Sequence, residues 1–276
     1  MKRTILYALL CVFVSITVSC DKIEQDRYIV PAGVTGQWFA SHEDIPQVQR
    51  AMVEKYTGVR CVNCPRADEV IHASLEHYGD KLVAIAIHSG AFGRPLGSDP
   101  DLRTEGGTIW YETMIGTSTG LPAAMVNRGD MFDPSSGVND KVDPILRQSP
   151  SVSMLMRTEA DNGDLFTEIH IGYEQTLTQN LALTLLLTED NILTTQSRAG
   201  GDDIHDYAQN HVLRTIYTDA WGLPINVDQT QGNKYFINFS IQLPEGCVAA
   251  NCHLVAFVSD RDSRRILNVA QCDLVP

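Results

Sequence analysis

Several features that would indicate common classes of function are missing from this chain of 276 residues. Beyond its N-terminus it has no apolar run of the roughly 20 residues that a membrane-spanning helix needs. Acidic residues outnumber basic ones, 34 to 21, and the basic residues form no cluster. Because phosphate binding needs clustered Lys and Arg, this balance argues against a nucleic-acid partner. We also find no glycine-rich phosphate loop and no acid/base carboxylate pair, and we expect no cofactor.

The N-terminus has the pattern of an export signal. Lys2 and Arg3 precede a mostly apolar stretch, residues 5–18, that is too short to span a bilayer comfortably. Small residues then lead to Cys20, which resembles the lipobox of bacterial lipoproteins. We predict a signal peptide over residues 1–19 and lipidation of Cys20, so that lipid alone holds the protein at the membrane. The alternative is ordinary secretion with a free Cys20.

The rest of the chain changes character along its length. Up to residue 149, apolar runs of strand length alternate with helical patterns, which is typical of an α/β core with a parallel sheet. From residue 150 onward, strand follows strand without helices, and this favours a β-sandwich. The stretch 191–232 predicts only a short strand, around 211–217. We therefore expect a tether over 20–45, an α/β domain over 46–149 and an all-β, immunoglobulin-like sandwich over 150–276.

The Cys-x-x-Cys pair formed by Cys61 and Cys64 is the strongest chemical signal. It opens a predicted helix over 64–78, and a helix N-terminus stabilises the thiolate that attacks disulfides. The order of strands and helices around the pair resembles thioredoxin. This resemblance implies that Pro122 is the cis-proline that packs against the two cysteines. Cys61, Cys64 and Pro122 are thus candidate catalytic residues for thiol–disulfide exchange.

Two other interpretations of this pair stay open. A static disulfide could close a tight turn without any turnover. A metal site would need two further ligands, and the pair Cys247 and Cys252 lies in the other predicted domain, whereas structural zinc usually takes its ligands locally. We therefore expect no metal at Cys61 and Cys64.

The remaining cysteines permit a second disulfide. Cys247 and Cys252 flank a short loop before a predicted strand, and disulfides form in exported proteins, so we predict a structural bridge between them. Cys272 is then the unpaired thiol. A bridge in which Cys272 replaces Cys247 is the alternative.

Several short runs along the chain together have a recognisable pattern. They are 54–58, 61–65, 121–128, 211–214 with 221–222, and 252–258. These runs resemble the Omp28 family of outer membrane lipoproteins. The resemblance implies an outer-membrane location in the cell envelope, a thioredoxin-like N-terminal part and a β-rich C-terminal part. It implies adhesin-like binding rather than an established enzyme activity, so the expected partner is either a protein substrate or a surface partner.

Replacing Cys20 by alanine removes the thiol that would carry the lipid. We expect the Cys20→Ala variant to leave the membrane fraction and to lose incorporation of a labelled fatty acid. Cys272→Ser, which removes a thiol elsewhere, should keep both properties. Fatty-acid labelling of Cys20→Ala at the wild-type level would contradict the prediction.

Overall fold

The computed structural model of the protein describes residues 36–117, 119–161 and 164–274. The predicted signal peptide and Cys20 lie outside these ranges. Its helices are α1 (Cys64–Tyr78), α2 (Glu105–Trp110), which continues as a π-helical turn (Tyr111–Ile115), and α3 (Asn139–Leu146). Its strands are β1 (Phe39–Ala40), β2 (Ala51–Thr57), β3 (Leu82–His88), β4 (Ala123–Val126), β5 (Val152–Asp161), β6 (Asp164–Tyr173), β7 (Leu181–Glu189), β8 (Ile192–Gln196), β9 (Ile204–Gln209), β10 (Val212–Ile216), β11 (Leu223–Pro224), β12 (Lys234–Ile241), β13 (Cys252–Asp260) and β14 (Ile266–Asp273).

Local signals explain why α1 forms where the sequence predicts it. Pro65 occupies the first turn, where its missing N–H group costs no hydrogen bond. Ala67, Ile71 and Ser74 repeat at helical spacing and are buried against the sheet. Gly79, with a φ of 57°, follows the last helical residue in a conformation that other residues rarely adopt. The predicted helix over 64–78 is confirmed.

One large sheet contains strands from both predicted halves of the chain. Its order is β14-β13-β7-β10-β3-β2-β4, and β11 pairs with β7. The pair β2 and β3 is parallel, β4 is antiparallel to β2, and β10 joins the halves by running parallel to β3. The fold is β-rich with few helices, and the α-helices end before residue 150, as the sequence predicts. The sheet nevertheless continues across the proposed boundary at 149/150, which the sequence did not predict.

A smaller sheet, with the order β1-β12-β6-β5, packs against the β7–β13–β14 part of the large sheet. Its strands are antiparallel. The largest hydrophobic cluster lies between the two sheets and includes Ile169, Leu185 and Leu254, all fully buried. β1 belongs to the segment predicted as a tether, and it forms the edge of this smaller sheet beside β12. The C-terminal part of the predicted tether is therefore docked on the protein body.

The two faces of the large sheet are covered by different elements. On one face, α1 and α3 cover β2, β3 and β4, beside the smaller sheet. On the other face, a single cluster contains Met52 and Ile85 together with Val255 and Phe257, so it spans strands from both predicted halves. Trp110 and Tyr111 from the helix after Thr104 fill this cluster. Among the described residues, no helix is both long and apolar enough to cross a membrane.

A buried ion pair lies in this shared cluster. Arg128, directly after β4, donates from Nε to the carboxylate of Glu54 on β2 at 3.1 Å, and the two side chains are 1% and 0% exposed. The guanidinium carbon lies 4.6 Å from the ring centroid of Trp110 and 4.9 Å from that of Phe257. Aromatic faces attract cations at such distances. The pair thus joins β2 and β4 to α2 and to β13.

Replacing Glu54 by glutamine leaves the Arg128 guanidinium buried without its counter-charge. We expect Glu54→Gln to lower the free energy of unfolding by about 3–5 kcal/mol, because an unpaired buried charge is strongly destabilising. Urea denaturation measures this change.

The matched control is Glu43→Gln, which removes the carboxylate from a pair with Arg157 at 2.9 Å in which both side chains are well exposed. Its expected effect on stability is close to zero, because solvent screens an exposed ion pair. Equal effects of the two substitutions would show that the buried ion pair contributes no more to stability than the exposed one.

Candidate functional site

Cys61 and Cys64 form a disulfide at the start of α1. Their Cα atoms are 5.4 Å apart. The segment between them is a tight turn in which the Cys64 N–H donates to the Cys61 carbonyl oxygen at 3.2 Å. Cys61 is 2% exposed and Cys64 is completely buried, whereas Val62 between them is 45% exposed. The turn is therefore on the surface while both sulfur-bearing side chains face inward.

The segment 89–97 closes one side of this turn. A Cβ atom on Gly58 would lie 2.3 Å from the carbonyl carbon of Phe92, so only glycine allows the two backbones to approach this closely. The Arg60 N–H donates to the Phe92 carbonyl oxygen at 3.0 Å. The Arg60 side chain donates to the carbonyl oxygens of Arg94 and Pro95 at 2.9 and 2.6 Å. The Arg60 guanidinium thus holds this segment against the turn.

Residues 196–199, which we name the covering segment, close a second side. The backbone N–H groups of Ser197 and Ala199 donate to the carbonyl oxygens of Val59 and Val62 at 2.8 and 3.1 Å. The Gln196 side chain is buried, and its Nε2 donates to the Cys61 carbonyl oxygen at 3.0 Å. The segment begins with Gln196, the last residue of β8, and β8 and β9 form a separate two-stranded hairpin. Sequence reasoning left this stretch unassigned and so missed Gln196.

Leu121 and Pro122 stand at the start of β4, and the peptide bond between them is cis. β4 lies beside β2, the strand that leads to the cysteine pair. Leu121 belongs to the same hydrophobic cluster as Cys61 and Cys64. The structure thus brings the three residues predicted from the sequence into one region of the fold, and their catalytic roles stay a prediction.

A small cavity of about 220 Å³ lies between α1, β3 and β9. Lys55, six residues before Cys61, lines it and forms an ion pair with Asp68, whose carboxylate also accepts from the Tyr207 hydroxyl at 3.0 Å. Burial lowers the pKa of Lys55 to about 7, while the neighbouring Asp68 carboxylate favours its charged form. The sequence pattern of β2 does not indicate that Lys55 is buried or that it pairs with Asp68. This arrangement became visible only through the fold.

The predicted Cys247–Cys252 disulfide is not formed. Cys247, Cys252 and Cys272 are free thiols in the structure. The sulfurs of Cys247 and Cys252 lie within 4.8 Å of each other but are not covalently joined. Cys272 contacts the Thr158 hydroxyl at 3.3 Å, away from both. The sequence correctly indicated that Cys247 and Cys252 are neighbours, but proximity does not decide oxidation state.

Removing the Gln196 side chain should make the Cys61–Cys64 disulfide easier to reach. We expect Gln196→Ala to weaken closure of the covering segment by about 1–2 kcal/mol, the loss typical of one buried hydrogen-bonding side chain. This corresponds to roughly 5- to 30-fold faster reduction by dithiothreitol. Thiol labelling and mass spectrometry follow the reaction.

Gln148→Ala is the matched control. It also removes a glutamine Nε2 that donates to a backbone carbonyl, that of Pro144 at 3.0 Å, but at an exposed position just after α3. Its reduction rate should equal that of the wild type. If both variants react at the wild-type rate, the covering segment does not limit access.

Three solved structures are similar to this chain to different degrees. HBP35 of Porphyromonas gingivalis has a similar structure, with a TM-score of 0.65 and 16% identity over 83% of this chain and 76% of that one. A crystal structure from Agrobacterium tumefaciens gives a TM-score of 0.49 and 18% identity, over 82% and 94% of the two chains. A domain of the outer membrane lipoprotein Omp28 from P. gingivalis gives 0.32 and 19%, over 45% and 88%. At these identities, the first similarity concerns the fold alone.

No curated protein matches the chain. The family described as outer membrane protein Omp28 matches residues 111–275, which is more than half of the chain. This match confirms the family and the cell-envelope location that the sequence predicts. The protein belongs to the Omp28 family of outer membrane proteins.

Proposed function

We propose that this protein carries out thiol–disulfide exchange in the cell envelope through Cys61 and Cys64. The observation that carries the proposal is the position of the disulfide at the N-terminus of α1, the helix that connects the adjacent parallel strands β2 and β3. With β4 antiparallel beside β2, these elements are arranged like the core of a thioredoxin-like unit. The strands from β5 onward then serve as the sandwich part, joined to that unit through the large sheet.

The exchange requires two displacement steps. A substrate thiolate attacks Cys61 Sγ, the Cys61–Cys64 bond breaks, and Cys64 leaves as a thiolate that the helix N-terminus stabilises. The second thiol of the substrate, once deprotonated, then attacks the substrate sulfur of the mixed disulfide and releases Cys61. Two electrons pass from the substrate dithiol to the protein, and two thiols replace its disulfide. The reverse sequence reduces a substrate disulfide.

An extended protein segment is the substrate class that fits this site. In thioredoxin-like proteins, the backbone before the cis-proline receives such a segment, and Leu121 stands at this position. The exposed side chain of Val62 marks the side from which a partner reaches the turn. Because Gln196, Ser197 and Ala199 are hydrogen bonded to the same turn, a substrate must displace the covering segment before it reaches Cys61.

A second candidate function rests on that same burial. A disulfide held under two segments, with Cys61 only 2% exposed, also suits a permanent cross-link. The protein would then bind a surface partner without turnover, and the thioredoxin-like unit would be its scaffold.

The cysteine pair itself separates the two functions. If exchange occurs, Cys64→Ser should accumulate a mixed disulfide through Cys61, because no resolving thiol remains. Cys61→Ser should not do so, and Cys272→Ser should behave as wild type. Non-reducing gels and peptide mapping detect the trapped species, and insulin reduction measures turnover by the wild-type protein.

A reduction potential measured against glutathione completes the test. A potential above about −300 mV together with insulin reduction supports exchange. A potential below about −300 mV without turnover, and without trapping by Cys64→Ser, overturns it and favours the permanent cross-link.

A further inference from the structure

A second group of chemically active side chains lies at one end of the ladder formed by β7 and β13. Glu189 is the last residue of β7 and pairs across the ladder with Cys252, the first residue of β13. Cys247 lies in the turn that precedes β13. One ligand atom from each of these three residues lies within 4.8 Å of the other two. Two sulfurs and a carboxylate oxygen therefore converge on one small volume.

The spacing of these atoms is close to what a tetrahedral divalent metal requires. With metal–sulfur bonds of about 2.3 Å and metal–oxygen bonds of about 2.0 Å, ligand atoms in such a site are roughly 3.5–3.8 Å apart. The two ligand atoms of each pair would need to move closer to each other by at most about 1.3 Å to reach this spacing. Cys247 can supply this adjustment because it lies in a half-buried turn, whereas Glu189 and Cys252 are fixed in strands and buried.

The backbone already orients the carboxylate. Glu189 Oε1 accepts from the Val248 N–H at 2.8 Å, so it is tied to the turn between the two cysteines. Its other oxygen, Oε2, accepts from Arg214 Nη1 at 2.6 Å. Hydrogen bonds of this kind commonly orient the ligands of metal sites.

The charges balance both with and without a metal. Without one, Glu189 is neutralised by Arg214, whose Nη1 lies 2.6 Å from Oε2, and both cysteines are free thiols. With a divalent cation, both thiols lose their protons. Two thiolates and one carboxylate then face the cation and Arg214, which again sum to no net charge. Binding therefore avoids an uncompensated charge in a buried place.

We propose that Glu189, Cys247 and Cys252 bind a thiophilic divalent cation of the zinc class. The three residues supply two thiolates and one carboxylate, and a solvent molecule completes the four ligands. Binding releases two protons. This site is independent of the Cys61–Cys64 disulfide. Sequence reasoning considered zinc only as a link between the two cysteine pairs, and the structure instead adds Glu189 from a strand distant in the chain.

Titration with Co²⁺ and Zn²⁺ tests the proposal on the full-length chain, with its free thiols kept reduced. We expect one Co²⁺ per chain, a sulfur-to-cobalt charge-transfer band, and loss of that band when Zn²⁺ is added. The double variant Cys247→Ser/Cys252→Ser should lose the band, and Cys272→Ser should keep it. The Glu189→Gln variant should bind Co²⁺ at least about 10-fold more weakly than the wild type. Even changes to residues around the ligands of metal sites lower metal affinity by roughly this factor.

A second measurement uses the wild-type protein only, so it does not depend on the folding of a variant. Zn²⁺ should slow maleimide labelling of Cys247 and Cys252, mapped by mass spectrometry, and leave labelling of Cys272 unchanged. The proposal is overturned if no cation binds, if Zn²⁺ protects neither cysteine, or if the cobalt band survives in the double serine variant. It is equally overturned if protein isolated from the envelope holds a Cys247–Cys252 disulfide.

Discussion

The buried pair between Arg128 and Glu54 is the interaction on which the rest of this fold depends. A guanidinium in a hydrophobic cluster is stable only when its counter-charge and its surroundings are all in place. Glu54 comes from β2, and the rings of Trp110 and Phe257 come from α2 and β13. The strands on both sides of residue 150 must therefore assemble together. This requirement explains why the chain has one continuous large sheet where the sequence indicated two separate domains.

Four of the five runs that carry the family resemblance meet at this ion pair, and the fifth, 61–65, contains the cysteine pair. Glu54, Arg128, Trp221 and Phe257 belong to four different matching runs, and the guanidinium carbon of Arg128 lies 5.6 Å from the Trp221 ring. Asn127, beside Arg128, accepts from the Met52 N–H at 2.7 Å and so fixes β4 against β2. The shared runs thus describe how the two parts of the fold are joined. Membership of the family is evidence for architecture, and the chemistry of the cysteines needs its own tests.

The elements that the sequence predicted well are those with strong local signals. Pro65 and Gly79 bound α1, whose predicted limits, 64–78, coincide with the observed ones. The hairpin of β8 and β9 had no such local signal. Contacts with residues far away in the sequence hold it in place, such as the hydrogen bond from Gln196 to the Cys61 carbonyl. Sheet order was equally hidden, since a strand's own residues do not specify its neighbour. The cysteine pair could be located from the sequence, but the segments that bury it could not.

The two cysteine pairs of this chain differ in how their surroundings affect the stability of a thiolate. Cys61 and Cys64 open a helix, whose N-terminus favours the charged form, and they are joined as a disulfide. Cys247 and Cys252 lie in a buried place beside the Glu189 carboxylate, and both effects raise the pKa of their thiols. Since the thiolate is the form that attacks disulfides, the surroundings of the first pair favour exchange and those of the second pair disfavour it.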